Sequence, residues 1–173
     1  MFVDSLVKLS SKIVAKCLVE DRYKNLDFSL LPSLSDQVFY EVINISSSNY
    51  LRVIAKETGL KLNLTRFNSI ISPVSRNDLA NLQLHDIQRL ILDLGGFEDE
   101  FTVKTEEGTI LDIIGILKTI LNEESRKNLR KLIIEDYGGN FERKWVQKLA
   151  ELLPNLQVLD FEVPSRDVTA VCR

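Results

Sequence analysis

Ile87-Gln88-Arg89-Leu90-Ile91-Leu92, Leu129-Arg130-Lys131-Leu132-Ile133-Ile134 and Leu156-Gln157-Val158-Leu159-Asp160-Phe161 share one spacing of apolar residues. Each reads ΦxxΦxΦ, with Φ apolar. The last two apolar positions are two apart, the period of a strand with one buried face. Asn128 and Asn155 stand just before the second and third segments. Gly95-Gly96 and Gly138-Gly139 follow the first and second at matching places, where each pair would allow a tight exit from a strand.

This spacing is the strand signature of a leucine-rich repeat. The starts are 42 and 27 residues apart. The second step fits one long strand–helix repeat. The first is stretched by Gly95 to Gly108, a segment rich in acid and glycine that reads as a solvated insertion. Apolar residues predict helices between the strands. One runs from Thr109 to Leu121, carrying Ile110, Leu111, Ile113, Ile114, Leu117, Ile120 and Leu121. The other runs from Phe141 to Leu153, carrying Trp145, Val146, Leu149, Leu152 and Leu153. The competing reading is an ordinary α/β domain with coincidental leucines. A strand–helix unit cannot bury both faces alone, so neighbours must stack.

Working toward the N-terminus, residues 3 to 19 predict a helix. Val3 and Val7 widen an apolar arc built on Leu6, Leu9, Ile13, Val14, Cys17 and Leu18, with Asp4 or Ser5 as N-cap. One face can pack on the body while another stays available. Glu20 to Leu30 reads as irregular. Pro32 suits the first turn of a second helix, with Leu34, Val38, Phe39, Val42 and Ile43 on its face. A further helix is expected over Asn49 to Thr58, ended by Gly59. A short strand is expected over Leu60 to Leu64, and a short helix after Pro73 carrying Leu79 and Leu82. The expected class is α/β. An N-terminal helical region (1–45), an adaptor-binding one on the resemblance below, and a connecting segment (46–84) cap a short leucine-rich-repeat solenoid (85–173).

The 173 residues are 45% hydrophobic and 27% charged, the composition of a globular protein. A net charge of −3 without a dense Lys/Arg cluster argues against nucleic acid. No apolar run is long enough for a membrane span, and Asp4, Lys8, Lys12 and Lys16 interrupt any signal-peptide core. Cys17 and Cys172 are too few and too far apart for a disulfide framework. Cys17 reads as a buried thiol, and the compartment as cytoplasm, nucleus or both. His85 has no nucleophile elbow beside it and reads as a solvent-facing or capping residue. Phosphate-binding glycine loops and zinc-ligand spacings are missing. Glu98, Asp99, Glu100, Glu106 and Glu107 lack the alternation of a calcium loop. The expectation is a protein without catalytic residues, cofactor or metal.

The repeat strands offer a surface. Residues flanking the buried positions should face one side: Arg89, Ile91 and Asp93, then Lys131, Ile133 and Glu135, then Val158, Asp160 and Glu162. Stacking would align Asp93, Glu135 and Glu162 into an acidic row. A partner's basic segment could dock there, or the row is simply a solvated face.

Ser5-Leu6-xxx-Ser10-xx-Ile13 resembles the BC-box, a helix that docks on elongin C. Its form is a small residue, Leu, three variable positions, Cys or another small residue, then an aliphatic. Leu31-Pro32, about 25 residues on, resembles the opening of a cullin box, with Leu34 and Val38 as its apolar contacts. The family usually has Cys at the place of Ser10, and an apolar residue at the place of Ser35. BC-box, Leu-Pro helix and leucine-rich repeats in this order resemble the zyg-type substrate receptors of cullin-RING ubiquitin ligases. That resemblance implies adaptor contacts from Leu6, Leu9, Ser10, Ile13, Leu31, Pro32, Leu34 and Val38. The implied partners are elongin C with elongin B, a type-two cullin, and a protein substrate held by the repeats. Those receptors are much longer and carry armadillo repeats, so the resemblance is to a short relative or a fragment. Leu-Pro before an apolar helix also opens the F-box, which binds a Skp-type adaptor. The third reading is a repeat scaffold or inhibitor outside any ligase, in which Leu6 and Ile13 are core.

Overall fold

The computed structural model describes residues 5–46, 49–69, 75–94, 102–105, 108–135 and 140–162. Its centre is a parallel sheet of four strands. These are β3 (Arg66–Asn68), β4 (Arg89–Asp93), β7 (Lys131–Glu135) and β9 (Val158–Glu162), adjacent in that order. β4, β7 and β9 are the three ΦxxΦxΦ segments, each beginning two residues later than its first apolar position. They pair without slippage: Leu90 pairs with Leu132 and Leu132 with Leu159, while Leu92 pairs with Ile134 and Ile134 with Phe161. Leu90, Leu92, Leu132 and Ile134 are fully buried. A one-residue slip would turn them all to the other face, so burial enforces the register.

The same contact recurs as each strand begins. The Thr65 carbonyl accepts from Gln88 and Arg89 N–H at 2.8 and 3.0 Å. The Gln88 carbonyl accepts from Arg130 and Lys131 at 2.9 and 3.3 Å. The Arg130 carbonyl accepts from Gln157 and Val158, both at 2.9 Å. Parallel strands need crossovers. Between β4 and β7 these are the hairpin β5 (Thr102–Thr105) and β6 (Gly108–Leu111), then α5 (Ile113–Ile120) and α6 (Glu123–Asn128). Between β7 and β9 they are β8 (Asn140–Phe141) and α7 (Trp145–Leu152). β8 pairs with β6 in parallel. Ile113, Ile116, Leu117 and Ile120 of α5 join Trp145 and Leu149 of α7 in the core shared with the sheet. Trp145 stacks on Phe141 at 4.7 Å and meets Phe161 edge-on at 5.4 Å, tying α7 to β8 and β9.

Several expectations change. The helix expected over Thr109 to Leu121 begins only at Ile113. Asp112 caps it by accepting from Gly115 N–H at 2.8 Å, and residues 109–111 belong to β6. α6 was not expected. Its cap Asn122 donates to the His85 and Gln83 carbonyls at 2.8 and 3.0 Å. Asn155 donates to the Lys127 carbonyl at 2.8 Å, whereas Asn128 turns to Glu124, so these two asparagines are not equivalent. Both glycine pairs, Pro73, Cys172 and the acidic residues Glu98, Asp99, Glu100, Glu106 and Glu107 lie outside the described residues.

The N-terminal half is α1 (Leu6–Val19), β1 (Phe28–Ser29), α2 (Pro32–Ile45), α3 (Asn49–Ile54), β2 (Leu60–Lys61), α4 (Arg76–Ala80) and a 3-10 turn, Asn81–Leu84. Ser5 caps α1, accepting from Lys8 N–H at 3.3 Å. α3 stops at Ile54, short of the expected Thr58. Lys56 takes the left-handed conformation just beyond it, at φ 55°. β1 and β2 pair in parallel within segments expected to be irregular and a longer strand. Gly59 is required at their junction, because a methyl group there would overlap the Tyr23 carbonyl. The unexpected strand β3 starts the sheet, and its Phe67 packs on Phe39 of α2 with ring centres 6.3 Å apart.

His85 is 1% exposed, so of the two roles expected it is not solvent-facing but stands at the C-cap of the 3-10 turn. Its Nδ1 accepts from Leu64 N–H at 3.3 Å and its Nε2 lies 2.8 Å from the Ile54 carbonyl. The proton therefore belongs on Nε2, and the ring must be neutral to serve both partners. Burial pushes its pKa down to about 4. Between pH 6.5 and about 4 the unfolded chain binds a proton that the folded chain refuses. Stability is complete above that window and falls as pH falls through it, by roughly 3 kcal/mol. Urea unfolding at pH 7, 6, 5 and 4 should show this slope in the native chain and lose most of it in His85→Gln.

Candidate functional site

Helix α1 has two apolar stripes. Ser11, Ala15 and Leu18 are buried, at spacings of four and three residues. The small Ser11 and Ala15 let α1 lie close along α2, and the Ser11 hydroxyl is satisfied by the Val7 carbonyl at 2.8 Å. Leu6, Leu9, Ser10 and Ile13 form the other stripe, at spacings of three, one and three. At about 100° per residue the two stripes lie on nearly opposite sides of the helix. The outer stripe faces solvent: Leu6 is 79% exposed and Ile13 64%, with Leu9 and Ser10 also exposed. Three large aliphatic side chains thus stand together in one exposed stripe.

The start of α2 is exposed too. Leu31 is 70% accessible, and Pro32 and Leu34 also face solvent. Side chains pin this segment from beneath. Ser35 Oγ donates to the Leu30 carbonyl at 3.2 Å and accepts from Asn63 N–H at 2.9 Å. The Asp36 carboxylate accepts from the Thr65 and Arg66 N–H groups at 2.8 and 3.1 Å, and from the Thr65 hydroxyl. Ser35 stands where the resembled pattern has an apolar residue, and it points inward. Val38, expected on the adaptor face, is 2% exposed and belongs to the core beside Phe39 and Val42. A helix residue four after an exposed Leu34 need not share its exposure when the element leans against a neighbour.

Ion pairs fix the α1–α2 connection. Arg52 of α3 grips Asp21 at 2.9 Å and holds its carboxyl below the usual range, and Lys61 does the same to Asp27. Both pairs are solvent-exposed and contribute little stability. They set the path of the chain.

The second candidate surface is the open face of the sheet. Register sets its residues in rows across the strands. Arg66, Arg89 and Lys131 form one row. Asn68, Ile91, Ile133 and Asp160 form the next. Asp93, Glu135 and Glu162 form the last. The acidic alignment expected from the repeat spacing is thus present in the backbone register. Only the backbone of Glu162 is described. Asp93 and Glu135 already interact with neighbouring groups of the chain. The cationic row was missed because β3, which supplies Arg66, has a single apolar residue and gives no strand signal. α2 walls this face beside β3. A hollow of about 600 Å³ opens between them, lined by Asp36, Tyr40, Ile43, Arg66, Arg89 and Lys131 among others.

Among the described residues no group of His, Cys, Asp and Glu is placed to hold a metal ion, and no helix is long and apolar enough to cross a membrane. Cys17 is half-buried and unpaired by disulfide.

This chain is similar to Gastrulation-defective protein 3 of Caenorhabditis elegans. The two are 30% identical over 158 residues, 91% of this chain and 22% of that protein. The chain spans about a fifth of that relative's length. No protein-family model and no solved structure matches the chain.

Truncation separates the exposed stripe of α1 from the buried face of α2. Leu6→Ala and Ile13→Ala should each change unfolding free energy by less than about 0.5 kcal/mol. Val38→Ala should cost roughly 1–3 kcal/mol. Urea unfolding of the three variants tests the assignment.

Proposed function

We propose that this chain is a non-catalytic adaptor-binding and partner-binding module of a ubiquitin-ligase substrate receptor of the zyg type. On this reading α1 docks on elongin C through Leu6, Leu9, Ser10 and Ile13. The Leu31-Pro32-Leu34 segment meets a type-two cullin. The strand–helix units are leucine-rich repeats that hold a protein partner.

The outer stripe of α1 carries the proposal. Its leucines and isoleucine have the BC-box spacing, and they are exposed while the opposite stripe packs inside. Helix-in-groove recognition needs such anchors at i, i+3 and i+7 on a free face. The repeated carbonyl staircase at the strand starts, the in-register pairing and the two crossover units support the repeat reading. The similarity to Gastrulation-defective protein 3, over 91% of this chain, lends loose support to a zyg-type relationship. Burial of Val38 narrows the cullin-facing segment to Leu31, Pro32 and Leu34.

Affinity purification of the chain from animal cells, read by mass spectrometry, should recover elongins B and C. Leu6→Ala combined with Ser10→Phe should remove them while melting within a few degrees of the native chain. Recovery of a Skp-type adaptor would replace this reading with the F-box one. Recovery of neither would favour a scaffold outside any ligase.

A further inference from the structure

The cationic row on the open sheet face is the strongest feature that the adaptor reading leaves unused. Arg66, Arg89 and Lys131 occupy one register position on three adjacent parallel strands. Neighbouring strands are about 4.8 Å apart, so three cationic residues stand side by side on one face of the sheet. Arg66 has Asp36 nearby at 3.8 Å. Arg89 and Lys131 have no ion pair among the described residues. On the far side of the same row a second hollow of about 410 Å³ brings in Arg130. Four cations thus converge on a chain whose net charge is −3. The hollow beside α2 adds an apolar wall from Tyr40, Ile43 and Ile91, with Tyr40 exposed.

We propose that this groove holds an acidic, apolar-containing peptide segment of a protein partner. Its carboxylates would lie along Arg66, Arg89 and Lys131, and an apolar side chain would enter the hollow against Tyr40 and Ile43. A guanidinium donates two parallel hydrogen bonds to a carboxylate, and a carboxylate seated on the row offsets its positive charge. The opposite ends of β4 and β7 present Asp93 and Glu135, already engaged within the chain. They would repel a long polyanion lying across the whole face, which favours a short acidic peptide over nucleic acid. This site rests on the sheet face being the partner surface and is independent of elongin binding by α1.

The test uses the full chain and fluorescein-labelled decapeptides alternating Glu with Leu, or Lys with Leu, read by fluorescence anisotropy. A labelled 15-nucleotide single-stranded RNA serves as a third probe. The Glu/Leu peptide should bind, with affinity falling as NaCl rises from 50 to 300 mM. Arg89→Glu with Lys131→Glu should weaken it at least tenfold, and Tyr40→Ala should weaken it without abolishing the salt dependence. Should the charge-reversed pair fail to fold, Arg89→Gln with Lys131→Gln is read instead and should weaken binding severalfold. No binding of the Glu/Leu peptide, equal or tighter binding of the Lys/Leu peptide or the RNA, or unchanged affinity in the variants would overturn the proposal. Elongin B–C binding measured on the same preparations keeps the two readings separate, since these substitutions leave α1 untouched.

Discussion

Four consecutive backbone N–H groups, those of Asn63, Leu64, Thr65 and Arg66, are taken up by side chains from elsewhere in the chain. Ser35 takes the first, His85 the second and Asp36 the last two. This segment is the seam between the helical pair and the parallel sheet. Left unpaired, the buried Leu64 N–H would cost about 1–3 kcal/mol. The seam therefore fixes α2 against β3, and with it α1, which packs along α2. Among the described residues no buried side-chain nitrogen or oxygen lacks a partner. His85 is the most constrained member. It must accept on one nitrogen and donate on the other, so only the neutral ring fits.

Both candidate surfaces follow from the seam. With α2 anchored from beneath by Ser35 and Asp36, its first turn shows Leu31, Pro32 and Leu34 to solvent. With Ser11, Ala15 and Leu18 of α1 turned inward, Leu6, Leu9 and Ile13 must turn outward. The groove over Arg66, Arg89 and Lys131 exists because α2 stands beside the first strand of the sheet rather than over it. The two candidate surfaces thus share one foundation without sharing residues.

Much of this was legible in the chain. The three ΦxxΦxΦ segments predict β4, β7 and β9 because alternation and burial of one face are the same constraint. The apolar arc of α1 was visible as wider than one stripe, and Pro32 marked the start of α2. Other features were hidden for physical reasons. Residues 109–111 read as helix because the apolar run through Ile114 has no period, and only the cap at Asp112 divides it. β3 carries one apolar residue, so no pattern announced it or the cationic row it completes. Periodicity finds apolar positions on α2 but does not say which of them face inward. Val38 therefore went to the core and Leu34 to the surface. The buried role of His85 depends on partners 21 and 31 residues earlier in the chain, beyond any local signal.

On this proposal the outer stripe of α1 is a binding surface and not displaced core. Calorimetric titration of purified elongin B–C complex into the chain tests it most directly, beside Ile13→Ala, a variant outside the protein's own packing. Saturable one-to-one binding is expected, weakened at least tenfold by Ile13→Ala with unchanged unfolding free energy. No heat of binding to the native chain, or binding that survives the substitution intact, would contradict it.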